Sequence, residues 1–302
     1  RPNKTITSGF LYSEIQGEKF QTELNNRKST SAQPGIYLGD LSEIPLDTPP
    51  NLKEQEEIGK FFSEINSLLT LHQRKYEKLL NIKKSMLEKM FPKEGEVVPK
   101  IRFKGFTGAW EQRKLSDLCS MHARIGWQNL RTSEFLDQGQ YLLITGTDFD
   151  NGSIRFNSCH FVKKERYDQD KNIQVKNGSI LITKDGTLGK VAYVENLNKP
   201  ATLNAGVFNV KTKGNDVDNK YLFQYLKAPF LMKYVDEKST GGTIKHLNQS
   251  ILVNFPVVLP GVEEQRKIGE FLSHIDSILT LHQRKLEMLK NVKQAFLEKM
   301  FV

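Results

Sequence analysis

The sequence has 302 residues, of which 38% are hydrophobic and 26% are charged, a balance that suits a soluble folded protein of about two domains. No apolar run approaches the roughly 18–20 residues that cross a bilayer, so we expect no membrane segment, and two cysteines, Cys119 and Cys159, are too few for a disulfide framework and indicate the cytoplasm. The formal net charge of +9 favours a polyanionic partner such as DNA or RNA.

The first long predicted element is a helix that recurs at the end of the chain. Residues 54–91 and 264–301 align without a gap, and 24 of the 38 positions are identical. The heptapeptide LTLHQRK occurs in both copies, at 69–75 and at 279–285. Identity at this level indicates an internal duplication.

Apolar residues recur every three or four positions in both copies, which predicts helices that each need a partner for an apolar stripe. About 37 helical residues span roughly 55 Å. We therefore predict an antiparallel coiled coil with pseudo-two-fold symmetry, made of spacer helices 51–92 and 261–302. The predicted interface residues are Ile58, Phe61, Ile65, Leu68, Leu79 and Met86 in the first helix and Ile268, Phe271, Ile275, Ile278, Leu289 and Phe296 in the second.

A histidine interrupts the apolar stripe in the middle of each predicted helix. His72 and His282 occupy equivalent positions in the two copies. They could hold a metal ion, but a polar residue that fixes the register of a coiled coil explains them more simply. We favour this second interpretation.

Residues 1–50 resemble the end of the segment that precedes the second copy. The tripeptide at 28–30 matches that at 238–240, and 10–12 resembles 221–223. We interpret 1–50 as the C-terminal remnant of a first domain, whose full counterpart spans 93–260.

Residues 93–260 have the mixed pattern of an α+β domain. Strands are predicted at 141–145, 179–183, 190–194, 207–211 and 253–259, and helices at 219–227 and 230–236. The connecting loops are rich in Gly, Asn, Asp and Thr. Polar loops with basic side chains on a rigid sheet are a plausible surface for reading DNA.

Tests for catalytic and cofactor motifs give negative results. Residues 186–190 (GTLGK) lack the first glycine and the Ser/Thr of a phosphate-binding loop, so a tight turn between strands is the simpler interpretation. Cys119, His122, Cys159 and His160 do not have the spacing of a common zinc site. No catalytic constellation is recognisable, and we expect no metal and no enzyme activity.

The motifs of the chain together resemble the specificity (S) subunit of type I restriction–modification systems. They are PKIRFKGFT (99–107), WEQRKL (110–115), IGWQ (125–128), TGTDF (145–149), DGTLGK (185–190), NAG (204–206) and GTIKHL (242–247). A Pro-x-x-x-Pro segment followed by EQxxIG at the start of both long helices completes the set. The resemblance covers essentially the whole chain.

This resemblance implies a non-catalytic DNA-binding subunit. Family members carry two target-recognition domains that read the two halves of a split double-stranded DNA sequence, and two conserved helices set the spacing. The helices hold two modification subunits, which methylate adenine with S-adenosylmethionine, and restriction/translocase subunits join and use ATP. Neither cofactor is expected on this chain. The sequence departs from the family in supplying one full recognition domain. The chain is either a piece of a longer protein or a natural half-length form; a half-length form would have to dimerise to read two half-sites, although this one keeps both helices.

The resemblance also directs the choice of candidate DNA contacts. Those predicted at base edges or in a groove are Trp127, Gln128, Arg131, Thr147, Asp148, Lys184, Thr187 and His246, and those predicted at the DNA backbone are Arg124, Lys190, Lys238, Thr243 and Lys245. Ser29 and Thr30 would belong to the matching loop of the first domain. A buried aromatic anchor for Trp127, turn chemistry at Thr145-Gly146 and solvated charges for Lys184 and Lys245 remain the alternatives.

Two other classes of function fit the sequence less well. A transcription regulator with a coiled-coil dimer would need a helix-turn-helix or a basic-region helix, and neither is evident. A methyltransferase with its own recognition domain would need a glycine-rich cofactor loop and an Asn/Asp-Pro-Pro-aromatic motif, and the only Pro-Pro pair, Pro49-Pro50, fits neither.

Overall fold

A computed structural model describes residues 5–28, 35–93, 95–186, 188–238 and 247–301. The chain divides into two compact units: unit 1 comprises residues 1–82 and 276–302, and unit 2 comprises residues 83–275. Helices are numbered in chain order. No helix among the described residues is long and apolar enough to cross a membrane.

The described part of unit 1 is helical. It contains α1 (Ser8–Glu14), α2 (Glu18–Asn26), α3 (Leu38–Ser42), most of α4 (Leu52–Met90) and the C-terminal two thirds of α10 (Val262–Met300). Within this unit α4 and α10 are antiparallel, because Phe61 stacks edge-on against Phe296 (4.8 Å between ring centroids) while His72 contacts His282. The core at one end consists of Phe10, Ile58, Phe62, Leu297 and Phe301.

The buried stripe of α4 follows a heptad pattern, but its phase differs in part from the prediction. Phe62 is buried and Leu69 is half-buried, whereas Phe61 is only half-buried and Leu68 is 43% exposed. Phe61 still contacts Phe296, which is 41% exposed. Leu68 is thus more exposed than its neighbour Leu69, and its place in the interface stays a prediction.

The other predicted interface positions lie on the buried side of their helices. Ile58, Ile65, Ile268, Ile275 and Leu289 are buried, and Leu79, Met86, Phe271 and Ile278 are half-buried. The pattern misses Leu272, Leu279, Leu286 and Leu297, which are also buried. Steps of three and four residues separate the members of each stripe, as a left-handed coiled coil requires.

Unit 2 is a mixed α+β domain, which confirms the predicted fold class. Two four-stranded sheets have the orders β2-β11-β8-β9 and β6-β3-β10-β7, and two further pairs are β1-β12 and β4-β5. The strands are β1 (Glu111–Lys114), β2 (Cys119–His122), β3 (Tyr141–Ile144), β4 (Phe149–Asp150), β5 (Ser153–Ile154), β6 (His160–Val162), β7 (Gln174–Val175), β8 (Ile180–Thr183), β9 (Val191–Tyr193), β10 (Ala201–Leu203), β11 (Val207–Thr212) and β12 (Pro256–Leu259). The helices are α5 (Leu115–Leu118), α6 (Lys164–Asp168), α7 (Asn219–Lys227), α8 (Pro229–Lys238) and α9 (Gln249–Leu252).

Strand β8 lies between two hydrophobic cores. Because successive side chains of a strand point to opposite faces, Ile180 and Ile182 face the helices α7 and α8 while Leu181 faces the second sheet. All four residues of β8 are buried, which gives the continuous apolar run seen in its sequence. Unit 2 is thus layered as helices, first sheet and second sheet.

The ends of the long helices that belong to unit 2 join the helical side of this core. Phe91, directly after α4, lies within 5.7 Å of the rings of Tyr221, Tyr225 and Phe230. Ile268 and Leu272 of α10 belong to the same cluster. The Arg102 guanidinium also pairs with the buried Glu264 carboxylate of α10 through two hydrogen bonds of 2.7 and 2.8 Å.

Equivalent residues form the same local structure in each unit. The buried Gln55 side chain accepts from Thr7 N–H and donates to the carbonyls of Thr5 and Pro49. Gln265, its equivalent in the repeat, accepts from Asp218 N–H and donates to the carbonyls of Asp216 and Pro260. Each partner of Gln55 is 211 residues from the corresponding partner of Gln265, so α1 corresponds to α7 and the loop before α4 to the loop before α10.

Candidate nucleic-acid interface

Several loops of unit 2 meet at one edge of its second sheet. Strands β3 and β10 are parallel neighbours and end at this edge, where Asn204 N–H donates to the Ile144 carbonyl (2.9 Å). The loop after β8 joins them, because Lys184 N–H donates to the Gly206 carbonyl (2.8 Å). We call segments 124–131, 145–148, 184–186 and 204–206 the loop edge.

Segment 124–131 is attached to the loop edge by a buried arginine. Arg124 is 2% exposed, and its Nε donates to the carbonyl of Leu203 at the end of β10 (3.0 Å). Burial lowers the pKa of Arg124, and the neighbouring Arg166 lowers it further. The donors of Arg124 are used inside the domain, so its predicted DNA-backbone contact does not fit this geometry and stays a prediction.

The loop after β3 is shaped by a buried carboxylate. Asp148 is 3% exposed and accepts from Thr145 N–H and Oγ1 (2.8 Å each) and from Ser158 Oγ (3.0 Å). The predicted base contact of Asp148 does not fit this geometry, since both of its oxygens are engaged. Thr147, at the tip of the same turn, is exposed and remains a candidate.

The cations predicted to contact DNA differ in exposure. Arg131 and Lys190 are exposed, while Lys184 is half-buried with its Nζ 5.6 Å from the centre of the Phe208 ring. Lys238 is exposed at the end of α8, with its Nζ 5.7 Å from the Tyr234 ring. Gln128 is buried, which does not fit the predicted base contact, and its Oε1 has no hydrogen-bond partner among the described residues.

Some predicted contacts fall outside what the structure describes. Residues 29, 30, 187, 243, 245 and 246 are not among the described residues, and the side chain of residue 127 is not described either. The predictions for Ser29, Thr30, Trp127, Thr187, Thr243, Lys245 and His246 therefore remain predictions.

Comparison with known families assigns the chain to a family. The family described as the type I restriction modification DNA specificity domain matches residues 2–81 and 108–291. The chain belongs to this family. Specificity subunits are the non-catalytic components of their systems, so the role of this chain is not that of an enzyme.

Curated relatives of this specificity subunit come from archaea and bacteria. The MjaVIII specificity subunit of Methanocaldococcus jannaschii is 24% identical over 300 residues, which cover 97% of this chain and 69% of the relative. The putative MjaX specificity subunit of the same organism is 23% identical and covers 87% of this chain and 59% of the relative. The EcoBI specificity subunit of Escherichia coli is 27% identical over 164 residues, which cover 53% of this chain and 34% of that protein.

Solved structures share the fold. The S subunit of a type I system from M. genitalium superimposes with a TM-score of 0.70 at 18% identity, covering 99% of this chain and 73% of that chain. The HsdS subunit from Thermoanaerobacter tengcongensis gives a TM-score of 0.52 at 19% identity, with 100% and 72% coverage. Both likenesses support the α+β fold with two long helices.

The glycine-rich segment of this specificity subunit forms a turn. Gly186 and Gly189 have φ angles of 73° and 70°, and Gly189 N–H donates to the Thr183 carbonyl (2.9 Å), which closes the connection between antiparallel strands β8 and β9. Positive φ favours glycine because it has no Cβ. The described part of this segment thus forms the predicted tight turn.

The cysteines are enclosed in the cores of unit 2. Burial raises the pKa of the Cys119 thiol to about 12, and its Sγ donates to the Leu115 carbonyl. Burial likewise raises the pKa of Cys159. Among the described residues, no three His, Cys, Asp or Glu side chains are grouped as a metal site would need.

Proposed function

We propose that unit 2 reads one half of a bipartite double-stranded DNA target and that the chain brings modification and restriction/translocase subunits to that target in the cytoplasm. The observation that carries this proposal is the convergence of the loops after β3, β8 and β10 at one edge of the domain. Exposed Arg131, Thr147 and Lys190 lie in or next to these loops. Phosphate contacts would position such a surface and base-edge contacts would give it specificity.

We also propose the domain organisation expected from the sequence. Residues 1–50 would be the C-terminal remnant of a first target-recognition domain, 51–92 and 261–302 the spacer helices, and 93–260 the second recognition domain. The equivalent hydrogen bonds that Gln55 and Gln265 form with the backbone support this assignment. The exposed face of α1 supports it as well. Phe223 of α7 contacts the ring of Tyr193 of β9, whereas Tyr12 of α1, the equivalent of Phe223, is 60% exposed.

The long helices offer surfaces for the two modification subunits. Apolar side chains outside the seam of α10 are exposed, with Leu281 at 65%, Met288 at 48% and Val292 at 37%. Spacings of seven and four residues place them on one side of the helix. A second apolar stripe of this kind favours a helical partner, which supports docking of the modification subunits here.

Binding of duplex DNA at several salt concentrations tests the proposed reading surface. Substitution of Lys184 or Lys190 by Ala should weaken binding and reduce the slope of log Kd against log salt by about 0.9 for each phosphate that the variant no longer neutralises. Lys19 of unit 1, already paired with Asp47, gives a matched control in Lys19→Ala. Unchanged affinity and slope in both unit 2 variants would remove these lysines from the interface. A wild-type chain that binds no duplex, alone or with modification subunits, would contradict the proposed function.

A further inference from the structure

Arg124 is a buried cation that no carboxylate of the described residues contacts directly. Its Nη1 donates to the Gln128 carbonyl (3.4 Å) and to Gln169 Oε1 (3.1 Å), and its Nη2 donates to the Arg166 carbonyl (3.4 Å) and to Thr202 Oγ1 (3.3 Å). Together with the bond from Nε to β10, these contacts engage each nitrogen of the guanidinium. Arginine is seldom buried this deeply without a carboxylate partner, so the side chain holds together β10, segment 126–128 and the region of α6.

A chain of hydrogen bonds continues from Arg124 to the exposed Arg131. Gln169 Oε1 also accepts from Arg166 Nη1 (3.1 Å), and Arg166 Nε donates to Glu134 Oε1 (2.7 Å). Glu134 Oε2 in turn accepts from the backbone N–H of Arg131 (2.9 Å). This backbone donor, followed by the Arg166 guanidinium, lowers the pKa of Glu134. The carboxylate is thus ionised and fixes the backbone at Arg131.

We propose that Arg124, Arg166 and Glu134 are positioning residues that present the Arg131 side chain to a base edge in the DNA groove. This inference rests on the proposed function of unit 2. Base reading requires a defined direction, because a guanidinium recognises guanine through two parallel hydrogen bonds, whereas a phosphate contact tolerates a wider range of geometries. The hydrogen-bond network that runs from Arg124 to the exposed Arg131 fits the stricter geometric requirement of base reading.

Selection from a pool of random-sequence DNA duplexes, with the full chain in complex with modification subunits, tests this inference. Arg131→Ala removes the reading group, and Glu134→Ala removes only its support. Glu165→Ala is the matched control. It removes the same charge as Glu134→Ala, but Glu165 is exposed on α6 and lies outside the network. Arg124→Lys keeps the charge but cannot reach all five acceptors, and its thermal unfolding is measured in parallel.

We expect Arg131→Ala and Glu134→Ala to lose preference at the same base position, with discrimination there reduced about tenfold. Glu165→Ala should enrich the wild-type motif. A purely structural defect would lower the active fraction without changing the motif. The inference is overturned if Glu134→Ala keeps the wild-type motif, or if Arg131→Ala weakens binding equally for all sequences, as removal of a phosphate-binding group would. A wild-type complex that enriches no motif overturns the proposed function itself, and the inference with it.

Discussion

The Nδ1 atoms of His72 and His282 lie 2.8 Å apart, midway along the two antiparallel helices of unit 1. Since the two residues are equivalent in the repeat, the helices meet at matching positions. One imidazole must donate and the other accept, so at least one ring has to be neutral. A contact of this kind supports the interpretation of these histidines as register residues within the seam.

This contact predicts that stability decreases in mild acid. Burial lowers the pKa of His72 from its usual 6.5, and His282, Lys75 and Lys285 lower it further. As the pH falls, the unfolded chain therefore takes up the proton first, so the contribution is complete above pH 6.5 and is lost as the pH falls from that value through the lower pKa of the folded state. We expect the Tm of unit 1 to fall between pH 7.5 and 5.5.

A double variant provides the control for that pH dependence. His72→Leu with His282→Leu makes the seam continuous, so it should raise Tm at neutral pH and reduce the change in Tm between the two pH values. A pH dependence equal to that of the wild type would assign it to other groups.

Two glycines allow a helix to approach another backbone closely, and alanine at either should destabilise its unit. A Cβ at Gly59 would lie 2.7 Å from the Gly9 carbonyl carbon, and one at Gly269 would lie 2.6 Å from Tyr221 N. Alanine normally stabilises a helix by about 1 kcal/mol relative to glycine. We expect instead a loss of at least about 2 kcal/mol for each variant in urea unfolding.

Gly39 of α3 is the matched control for these substitutions, because a Cβ there meets nothing within 4 Å. Gly39→Ala should be neutral or slightly stabilising. If Gly59→Ala and Gly269→Ala behaved in the same way, the close approaches would be incorrect.

Alanine at either of the two equivalent glutamines, Gln55 and Gln265, should lower the free energy of unfolding strongly. Gln55 and Gln265 are each 1% exposed, and each serves three backbone groups. Alanine would leave these groups without partners, at a cost of about 3 kcal/mol or more in the free energy of unfolding. Gln73→Ala, on the exposed side of α4 where Gln73 donates to Glu77, should change stability by less than about 0.5 kcal/mol. Equal effects at the three sites would contradict this role of the two buried glutamines.

The long repeated helices could be predicted because the identity and period of the two copies agree. The exact phase of the seam could not, since α4 has apolar residues at both Phe61 and Phe62 and at both Leu68 and Leu69. Only packing within the folded unit decides which of two adjacent apolar residues is buried. The helix at 219–227 was predicted correctly at both ends, because Asp218 accepts from Tyr221 N–H as its N-cap and Pro229 follows.

The strands predicted at 141–145, 179–183, 190–194 and 207–211 match β3, β8, β9 and β11 to within one residue at each end, whereas the first three residues of 253–259 lie outside β12. Strands β1, β2, β6 and β10, of three or four residues each, were not predicted. Strands β4, β5 and β7 have two residues each, too few for a period-2 pattern to be recognised. Arg124 and Asp148 were chosen as DNA contacts from the resemblance, which does not show whether a charged loop residue is buried. The burial of Arg124 depends on residues far away in the sequence, such as Leu203, which periodicity and composition do not show.

Exchange of the recognition segment tests the central claim most directly. Strands β1 and β12 are antiparallel partners, so the segment 115–255 begins and ends at adjacent positions within unit 2 and can be replaced by the equivalent segment of a family member with a known methylated sequence. Methylated adenines are then mapped by long-read sequencing in cells that express the modification subunits. We predict a split motif that depends on this chain, in which the exchange replaces one half and keeps the other half and the spacing. A motif whose two halves are unchanged by the exchange would contradict the reading of DNA by unit 2.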